Sequence, residues 1–290
     1  MVVLAGGLVA WIVTVQRMRG MDAGPGTDLG GLGWYVGIWV TMMAAMMLPS
    51  AAPMILLFSR ISAERERRGQ PFVPTWVFVG GYLAVWTVFG LGAYGLYRLV
   101  VSFDQGFLAW HRSGPYVVGG AIAAAGLYEL TPLKSVCLRH CRSPMHYVLG
   151  GWRNGWAGAF RMGTEHGAYC VGCCWGLMVV LFALGVMSLF WMALVAGVIF
   201  FQKLVPRADR LVPALAVLLV VLGIWVASAP GSVPGLTQPD SAAAEQARMR
   251  MMGTSPGMQK QPSMGKPSMQ EPAPGMAPES PAPMQKMSGG

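Results

Sequence analysis

The sequence predicts an all-α integral membrane protein, a polytopic transmembrane bundle of about seven helices with a disordered Met/Pro-rich C-terminal tail. Hydrophobic residues make up 54% of the 290 residues and charged residues only 11%, whereas soluble domains carry about 25% charged residues. The apolar runs are long and lack the alternation of barrel strands. Because backbone polar groups in lipid must be hydrogen-bonded internally, helices are the expected spanning elements.

Seven apolar segments supply these helices, although a span normally needs about 20 residues. The first is short, but it lacks the basic residues and small-residue cleavage site of a signal peptide, so we expect a first span. The fourth is rich in Gly and Ala, which permits close helix contact. The longest run is divided by a turn at residues 185–188. The seven are residues 2–15, 34–58, 73–97, 116–130, the two halves of 167–205, and 211–227.

Basic residues concentrate in three predicted loops and set the expected orientation. These loops are residues 60–68, 131–166 and 203–210, the last beginning with Lys203. The positive-inside rule places them in the cytoplasm of a bacterial inner membrane, with the N-terminus inside and the C-terminal tail outside. Arg17 and Arg19 are exceptions to this rule. The net charge of +9 is therefore explained by topology, and no nucleic acid partner is expected.

The composition changes beyond residue 229. Pro, Gly, Ser, Gln and Met dominate, without apolar periodicity, so the segment cannot offset the entropy of ordering. We therefore divide the chain into a transmembrane helical domain, 1–229, and a disordered Met-rich tail, 230–290. The tail methionines could collect copper ions outside the cell, although low-complexity drift also explains them. They are Met249, Met251, Met252, Met258, Met264, Met269, Met276, Met284 and Met287.

Four methionines occupy one face of the second predicted helix. They are Met42, Met43, Met46 and Met47. The pairs 42/46 and 43/47 stack on adjoining strips because their members are four residues apart. Thioethers are soft, neutral ligands that select Cu(I) over harder ions. Adaptable core packing, for which methionine is well suited, remains the alternative interpretation.

A histidine and three cysteines occur near the start of the fifth span. His166, Cys170, Cys173 and Cys174 have helical offsets of 0, 4, 7 and 8, so they share one face and could reach one ion. Soft thiolates in this arrangement favour metal or redox chemistry, although a cysteine is often only a small buried hydrophobe. A structural zinc finger is not expected, because the cluster continues into a membrane helix.

The preceding loop adds Cys137, His140 and Cys141 as candidate metal ligands. The two cysteines are one helical turn apart; interfacial thiols beside a solvated histidine are the alternative. Glu129 is a functional candidate, because an ionisable group near a span is costly unless it is paired, and Lys134 is a near partner in sequence. Five cysteines make a disulfide framework a poor interpretation, so we expect reduced thiols available to metal.

These motifs resemble a bacterial domain-of-unknown-function family described as predicted metal-binding integral membrane proteins. The resemblance covers about residues 10–228 and implies a helical membrane fold and a metal role, without an established activity. Where the family has Gln in a Tyr-x-Leu-Thr-Pro segment, this chain has Glu129. The resembling pieces are residues 42–54, 128–134, 137–144, 167–178 and the loop containing Met18 and Met21.

The function expected from these features is copper handling, with Cu(I) as the ion. Methionines would capture it, the methionine face would relay it, and the Cys/His cluster would hold it for transport or for loading a metallochaperone or metalloenzyme partner. The chain contains no GxxxxGK[ST], HExxH or GxSxG motif, so neither nucleotide binding nor catalytic residues are expected. Two alternatives remain: a membrane thiol-redox protein using Cys170, Cys173 and Cys174, and a non-catalytic subunit of a membrane complex.

Overall fold

The computed structural model is all-α over the residues it describes, which are 2–25, 29–103, 113–143, 145, 150–205 and 211–254. Nine α-helices have defined bounds within these ranges, and a 3-10 turn at Pro230–Ser232 precedes the last helix. The helices are α1 (Val2–Met18), α2 (Leu32–Arg67), α3 (Thr75–Phe103), α4 (Gly114–Glu129), α5 (Pro132–Arg142), α6 (Gly155–Leu184), α7 (Leu189–Leu204), α8 (Val212–Ser228) and α9 (Ala242–Thr254).

The two longest helices, α2 and α6, run antiparallel through the bundle. The rings of Trp39 and Phe182 stack with centroids 5.6 Å apart, and Lys203 of α7 bridges Ser50 of α2 to Cys170 of α6. Beyond this bridge, α2 and α6 continue while α7 ends at Leu204. At about 1.5 Å per residue, each continues for more than 20 Å.

Glycines allow the backbones of α4 and α8 to approach closely. A Cβ atom added at Gly223 would lie 2.8 Å from the Ala123 amide nitrogen, and one added at Gly126 would lie 2.9 Å from the Ala216 carbonyl oxygen. Small residues at helix crossings permit such contact, which increases van der Waals packing. The Gly and Ala content of this segment is therefore explained by a helix–helix contact.

The turn between α6 and α7 forms where the sequence predicts it. Gly185 has a φ of +121°, a conformation that side-chain-bearing residues rarely adopt. Ser188 N–H donates to the Gly185 carbonyl oxygen at 3.0 Å and closes the turn. The long apolar run is therefore two antiparallel helices.

Fewer helices reach full spanning length than the seven spans that the sequence predicts. Among the described residues, three helices are long and apolar enough to cross a membrane, namely Leu32–Arg67, Thr75–Leu99 and Gly155–Leu184, and α4 with α5, bent by 65°, makes a fourth if the pair is one span. Two further apolar helices, α7 and α8, have 16 and 17 residues. They measure about 24 to 26 Å at 1.5 Å per residue, less than the hydrocarbon thickness of about 30 Å. Apolar sequence runs thus overstated the number of full-length spans among the described residues.

Helix α9 lies in the segment that composition predicts to be disordered. Ala244 and Ala247 form a buried cluster with Ala23, and Thr237 Oγ1 donates to Asp22 Oδ2 at 3.0 Å. The expectation of disorder therefore does not extend to residues 242–254, whose alanines gain burial that sequence periodicity did not reveal. Residues 255–290, with the tail methionines from Met258 onward, lie outside the described residues.

Candidate metal centre

Three buried cysteines of α6 form the centre of the site, here called the thiol triad: Cys170, Cys173 and Cys174. Their Sγ atoms all lie within 4.8 Å of one another, and each residue is at most 1% exposed. The spacing of three and four residues places them on one helix face. They are the only group of three or more His, Cys, Asp or Glu side chains with metal-binding separations among the described residues.

A fourth thiol reaches the thiol triad from another helix. Cys141, in the last turn of α5, has its Sγ 3.7 Å from the Sγ of Cys173. Thr131 caps the start of helix α5: its hydroxyl accepts from the Lys134 amide, and a proline follows as the first helical residue, which is a typical helix start. Unlike the thiol triad, Cys141 is only partly buried. The structure thus brings together two cysteine motifs that are separate in sequence.

A lysine and a tyrosine contact the Sγ of Cys170. Lys203 Nζ donates to it at 2.9 Å, and Tyr82 Oη lies 2.9 Å away. The same ammonium donates to Ser50 Oγ at 3.2 Å. A buried cation is costly unless an anion or several dipoles surround it. This environment therefore favours negative charge on the sulfur.

His166 is buried beside the triad but outside the set of mutually close ligands. Its ring stacks on Tyr82, with centroids 5.7 Å apart, and on Phe78, at 6.2 Å. It also lines a cavity together with Lys203 and Cys141. The predicted sharing of one α6 face by His166 and Cys170 is observed, since both contact Tyr82. Its assignment as a metal ligand stays a prediction.

The four α2 methionines lie in the core at the levels next to the thiol triad. Met42, Met43, Met46 and Met47 are each at most 2% exposed. Along α2 they lie between two residues that contact α6 or its neighbour. Trp39 stacks on Phe182, and Ser50 accepts a hydrogen bond from Lys203, which also contacts Cys170. With equal rise per residue in both helices, this interval of α2 corresponds to the interval from Cys174 to Met178 on α6. The four methionines are therefore level with the part of α6 that follows the triad in sequence.

The remaining predicted ligands, Cys137 and His140, contact other parts of α6. Cys137 Sγ would lie 2.6 Å from a Cβ atom added at Gly172. The His140 ring stacks on Tyr169 with centroids 4.1 Å apart and planes within 4°. Neither belongs to the close ligand group found among the described residues. The ligand roles predicted for them stay predictions.

A separate buried polar cluster fixes the end of α7. Glu129 forms an ion pair with Lys134, and both side chains are 1% exposed. Gln202 completes the cluster: its Nε2 donates to Glu129 at 2.9 Å, and its Oε1 accepts from Lys134 at 3.1 Å. Arg142 Nε donates to the Gln202 carbonyl oxygen at 2.7 Å. Glu129 is therefore paired with Lys134, as sequence proximity indicated, and the cluster supports the helix end that carries Lys203.

A cavity of about 150 Å³ adjoins the fourth thiol. Its lining combines thiol, imidazole, ammonium and guanidinium groups with apolar side chains. It is lined by Ser50, Ala51, Pro53, Met54, Cys141, Arg142, His166, Lys203 and Leu204. It lies where α7 ends, and there it reaches Cys141, the most exposed of the clustered thiols.

Sequence reasoning missed Lys203, Tyr82, Ser50 and Gln202 as parts of the site. Lys203 was assigned to a basic cytoplasmic loop, yet it lies inside α7 and is 8% exposed. Its position directly after an apolar run, beside Gln202, could have indicated a buried role, because an ionisable group at the end of an apolar helix needs a partner. Tyr82 and Ser50 gave no such signal, since a single hydroxyl in an apolar helix has many roles.

The donor set fits one soft metal ion. With metal–sulfur bonds of about 2.3 Å, two sulfurs on opposite sides of an ion lie about 4.6 Å apart and three in a plane about 4 Å apart. The triad Sγ atoms lie within 4.8 Å of one another, and those of Cys173 and Cys174, 3.3 Å apart, would separate by about 0.7 Å to hold an ion in the planar arrangement. Thiolates prefer Cu(I), Zn(II) and iron–sulfur clusters among biological metals.

Comparison with known proteins identifies the family. The model of the PpoB2 family, described as copper chaperone, matches residues 36–226. This is more than half of the chain, which therefore belongs to the copper chaperone family. The match supports the metal-related family and the copper handling expected from the motifs, and it suggests a metalloprotein partner. No curated protein and no solved structure matches the chain.

Proposed function

We propose that this member of the copper chaperone family is an inner-membrane protein that holds one Cu(I) ion on the thiol triad and delivers it to a metalloprotein. The observation that carries the proposal is the meeting of three buried Sγ atoms within 4.8 Å of one another. Copper is the cargo of this protein, and no catalytic step is part of its role.

The Lys203 ammonium can balance the charge of a Cu(I)–thiolate assembly. With two of the three thiols deprotonated around one Cu(I) and the third neutral, the net charge is −1, which this ammonium, 2.9 Å from Cys170 Sγ, offsets. A neutral assembly avoids most of the cost of burying charge. Harder divalent ions prefer carboxylate and carbonyl oxygen, and the described triad offers only sulfur.

Exposed apolar side chains support a location in the lipid bilayer. Helix α8 presents Val217, Leu218, Val221 and Ile224, each at least 56% exposed. Soluble monomers rarely expose contiguous apolar surface of this kind, whereas lipid accommodates it. With the basic loop at residues 60–68 in the cytoplasm, the start of α1 is cytoplasmic and α9 is extracytoplasmic.

Methionines offer a route toward the triad from the opposite end of the bundle. Met18 and Met187 line a cavity of about 400 Å³ beside Asp22, and both are buried. The methionine face of α2 lies between this end and Cys174. Neutral thioethers bind Cu(I) weakly enough to release it to thiolates. We therefore assign capture and relay to the methionines and holding to the cysteines.

Copper stoichiometry after Cu(I) loading tests the proposal. The detergent-purified protein is loaded anaerobically, and weakly held copper is removed with bathocuproine disulfonate. We expect about one copper per chain in the wild type and below about 0.1 in the Cys170→Ser/Cys173→Ser/Cys174→Ser variant, because thiolates dominate Cu(I) affinity. Cys137→Ser is the matched control and should retain copper. Equal copper in wild type and triple variant would reject the proposal.

A second function, thiol–disulfide exchange, has one observation in its favour. Cys141 Sγ and Cys173 Sγ are 3.7 Å apart and belong to different helices, so a small movement could bring them to bonding distance. Thiol titration after equilibration with oxidised glutathione distinguishes the two functions. Loss of two thiols per chain without copper binding would favour redox chemistry.

A further inference from the structure

We infer that the 150 Å³ cavity is the port through which copper leaves the site, and that Cys141 is the ligand that hands copper to an incoming anionic thiol. This inference rests on the proposed function and adds the exchanging residue and the chemical class of the acceptor. Three observations carry it: the position of Cys141, the size of the cavity and the charges that line it.

Cys141 is placed between the buried thiols and the cavity. Its Sγ lies 3.7 Å from Cys173 Sγ, and its side chain also lines the cavity. The thiols of the triad are at most 1% exposed, whereas Cys141 is partly exposed. An ion held by the triad can therefore bind Cys141 without leaving the protein, and a ligand in the cavity can then approach it.

The size of the cavity limits what can enter. A volume of about 150 Å³ is comparable to that of a cavity that holds benzene. A cysteine side chain or the thiol arm of a small molecule fits, but a folded domain does not. An acceptor protein must therefore present its thiol on a protruding segment.

The lining of the cavity selects negative charge. Lys203 and Arg142 both line it and are held in place: Lys203 donates to Ser50 Oγ at 3.2 Å, and Arg142 Nε donates to the Gln202 carbonyl oxygen at 2.7 Å. Lys203 offsets the charge of the copper–thiolate assembly, and Arg142 adds a further positive charge, which raises the local concentration of anions in a confined space. A thiolate is therefore favoured over a neutral thioether or a cationic ligand.

The transfer is an exchange of ligands without a change of oxidation state. Cys141 Sγ replaces one triad sulfur on Cu(I), and the proton of the Cys141 thiol passes to the displaced thiolate. An incoming thiol replaces the second triad sulfur in the same way, and a second incoming thiol then displaces Cys141, so the bond to Cys141 breaks last. Each thiol that binds gives one proton to the thiolate that it displaces, and Cu(I) leaves as a bis(thiolate), so charge and atoms balance.

The rate of copper transfer tests the inference in the loaded protein. Wild type, Cys141→Ser and Cys137→Ser are mixed with 2-mercaptoethanesulfonate, and copper released to bathocuproine disulfonate is followed by absorbance. Cys141→Ser should keep about one copper per chain but release it at least about tenfold more slowly, because an exchange ligand lowers a barrier without adding ground-state affinity. Cys137→Ser, altered one turn earlier on α5, should behave as wild type.

A second probe tests the preference for anions. Cysteamine has a similar size but carries a positive charge, so at equal thiolate concentration it should accelerate release less than 2-mercaptoethanesulfonate. Equal acceleration by the two thiols would contradict the charge selection. Unchanged release from Cys141→Ser would contradict the role of Cys141.

Two further outcomes separate this inference from the proposed function. If Cys141→Ser binds no copper while Cys137→Ser does, Cys141 is a holding ligand, which overturns the inference and leaves the copper site intact. If wild type binds no copper, both fail. Because a variant can misfold, wild-type protein is also treated with iodoacetate, and Cys141 should be alkylated first. Earlier alkylation of Cys137 would overturn the inference.

Discussion

Lys203 Nζ lies 2.9 Å from Cys170 Sγ, so the last turn of α7 supplies a positive charge to a thiol of α6. Tyr82 Oη lies at the same distance from that sulfur. A sulfur with two polar partners in an otherwise apolar core is prepared to carry negative charge. The relationship therefore links the packing of three helices to the affinity of the metal site.

Replacement of this lysine tests whether its charge supports copper binding. Lys203→Met keeps the length and apolar stem of the side chain but removes the ammonium. We expect Cu(I) affinity to fall about 10- to 100-fold, because the bound thiolates lose their buried counter-charge. Competition with bathocuproine disulfonate measures the affinity. Arg161→Met, which removes an exposed charge paired with Glu165, should leave it unchanged, and an equal fall in both variants would indicate a general charge effect.

Substitution of the methionine face separates packing from copper relay. Met43→Leu/Met47→Leu changes core volume little, so stability should fall by less than about 1.5 kcal/mol per site. Copper held by the triad should persist, but loading at low Cu(I) concentration should slow about tenfold, because thioether ligands are lost. Stopped-flow loading measures this rate. Met162→Leu is the control, because Met162 is also fully buried. An unchanged loading rate in the double variant would show that the α2 methionines serve only in packing.

The buried ion pair of Glu129 and Lys134 should be essential for stability. Glu129→Gln leaves the ammonium buried without an anion, which costs about 3 to 5 kcal/mol. Lys134→Met in the same chain should recover part of the loss, because it removes that unpaired charge. Chemical denaturation in detergent, followed by tryptophan fluorescence, gives the free energies. Additive effects of the two substitutions would show that the side chains do not interact.

Adjacent glycines of α4 offer a matched test of helix packing. A Cβ atom at Gly119 would meet the Gly223 backbone and lie 3.1 Å from the Ala227 amide nitrogen, whereas one at Gly120 would have no atom of another described helix within 4 Å. Gly119→Ala should therefore destabilise the protein by about 1 to 3 kcal/mol. Gly120→Ala should be neutral or stabilising by up to about 1 kcal/mol, because alanine favours helix. Thermal unfolding measures the midpoint temperature of each variant. Similar midpoints for the two variants would show that α8 does not pack against Gly119.

The sequence by itself determined the class of fold and the chemistry of the site. The long apolar runs predict a helical fold. The turn at Gly185 is predicted because one of these runs is too long for a single membrane-spanning helix. The grouping of Cys170, Cys173 and Cys174 follows from helical periodicity, because residues three and four apart share a face. The family match supports the metal character that these thiols indicated.

Only the tertiary structure decided which distant residues complete the site. Cys141 meets Cys173 across 32 positions in sequence, and Lys203 meets Cys170 across 33. Such contacts depend on the packing of α5 and α7 against α6, which local periodicity does not specify. For the same reason the sequence did not reveal that the His140 ring stacks on Tyr169. Spacing along one helix fixes a face, but the position of a neighbouring helix is set by how all the helices share the core.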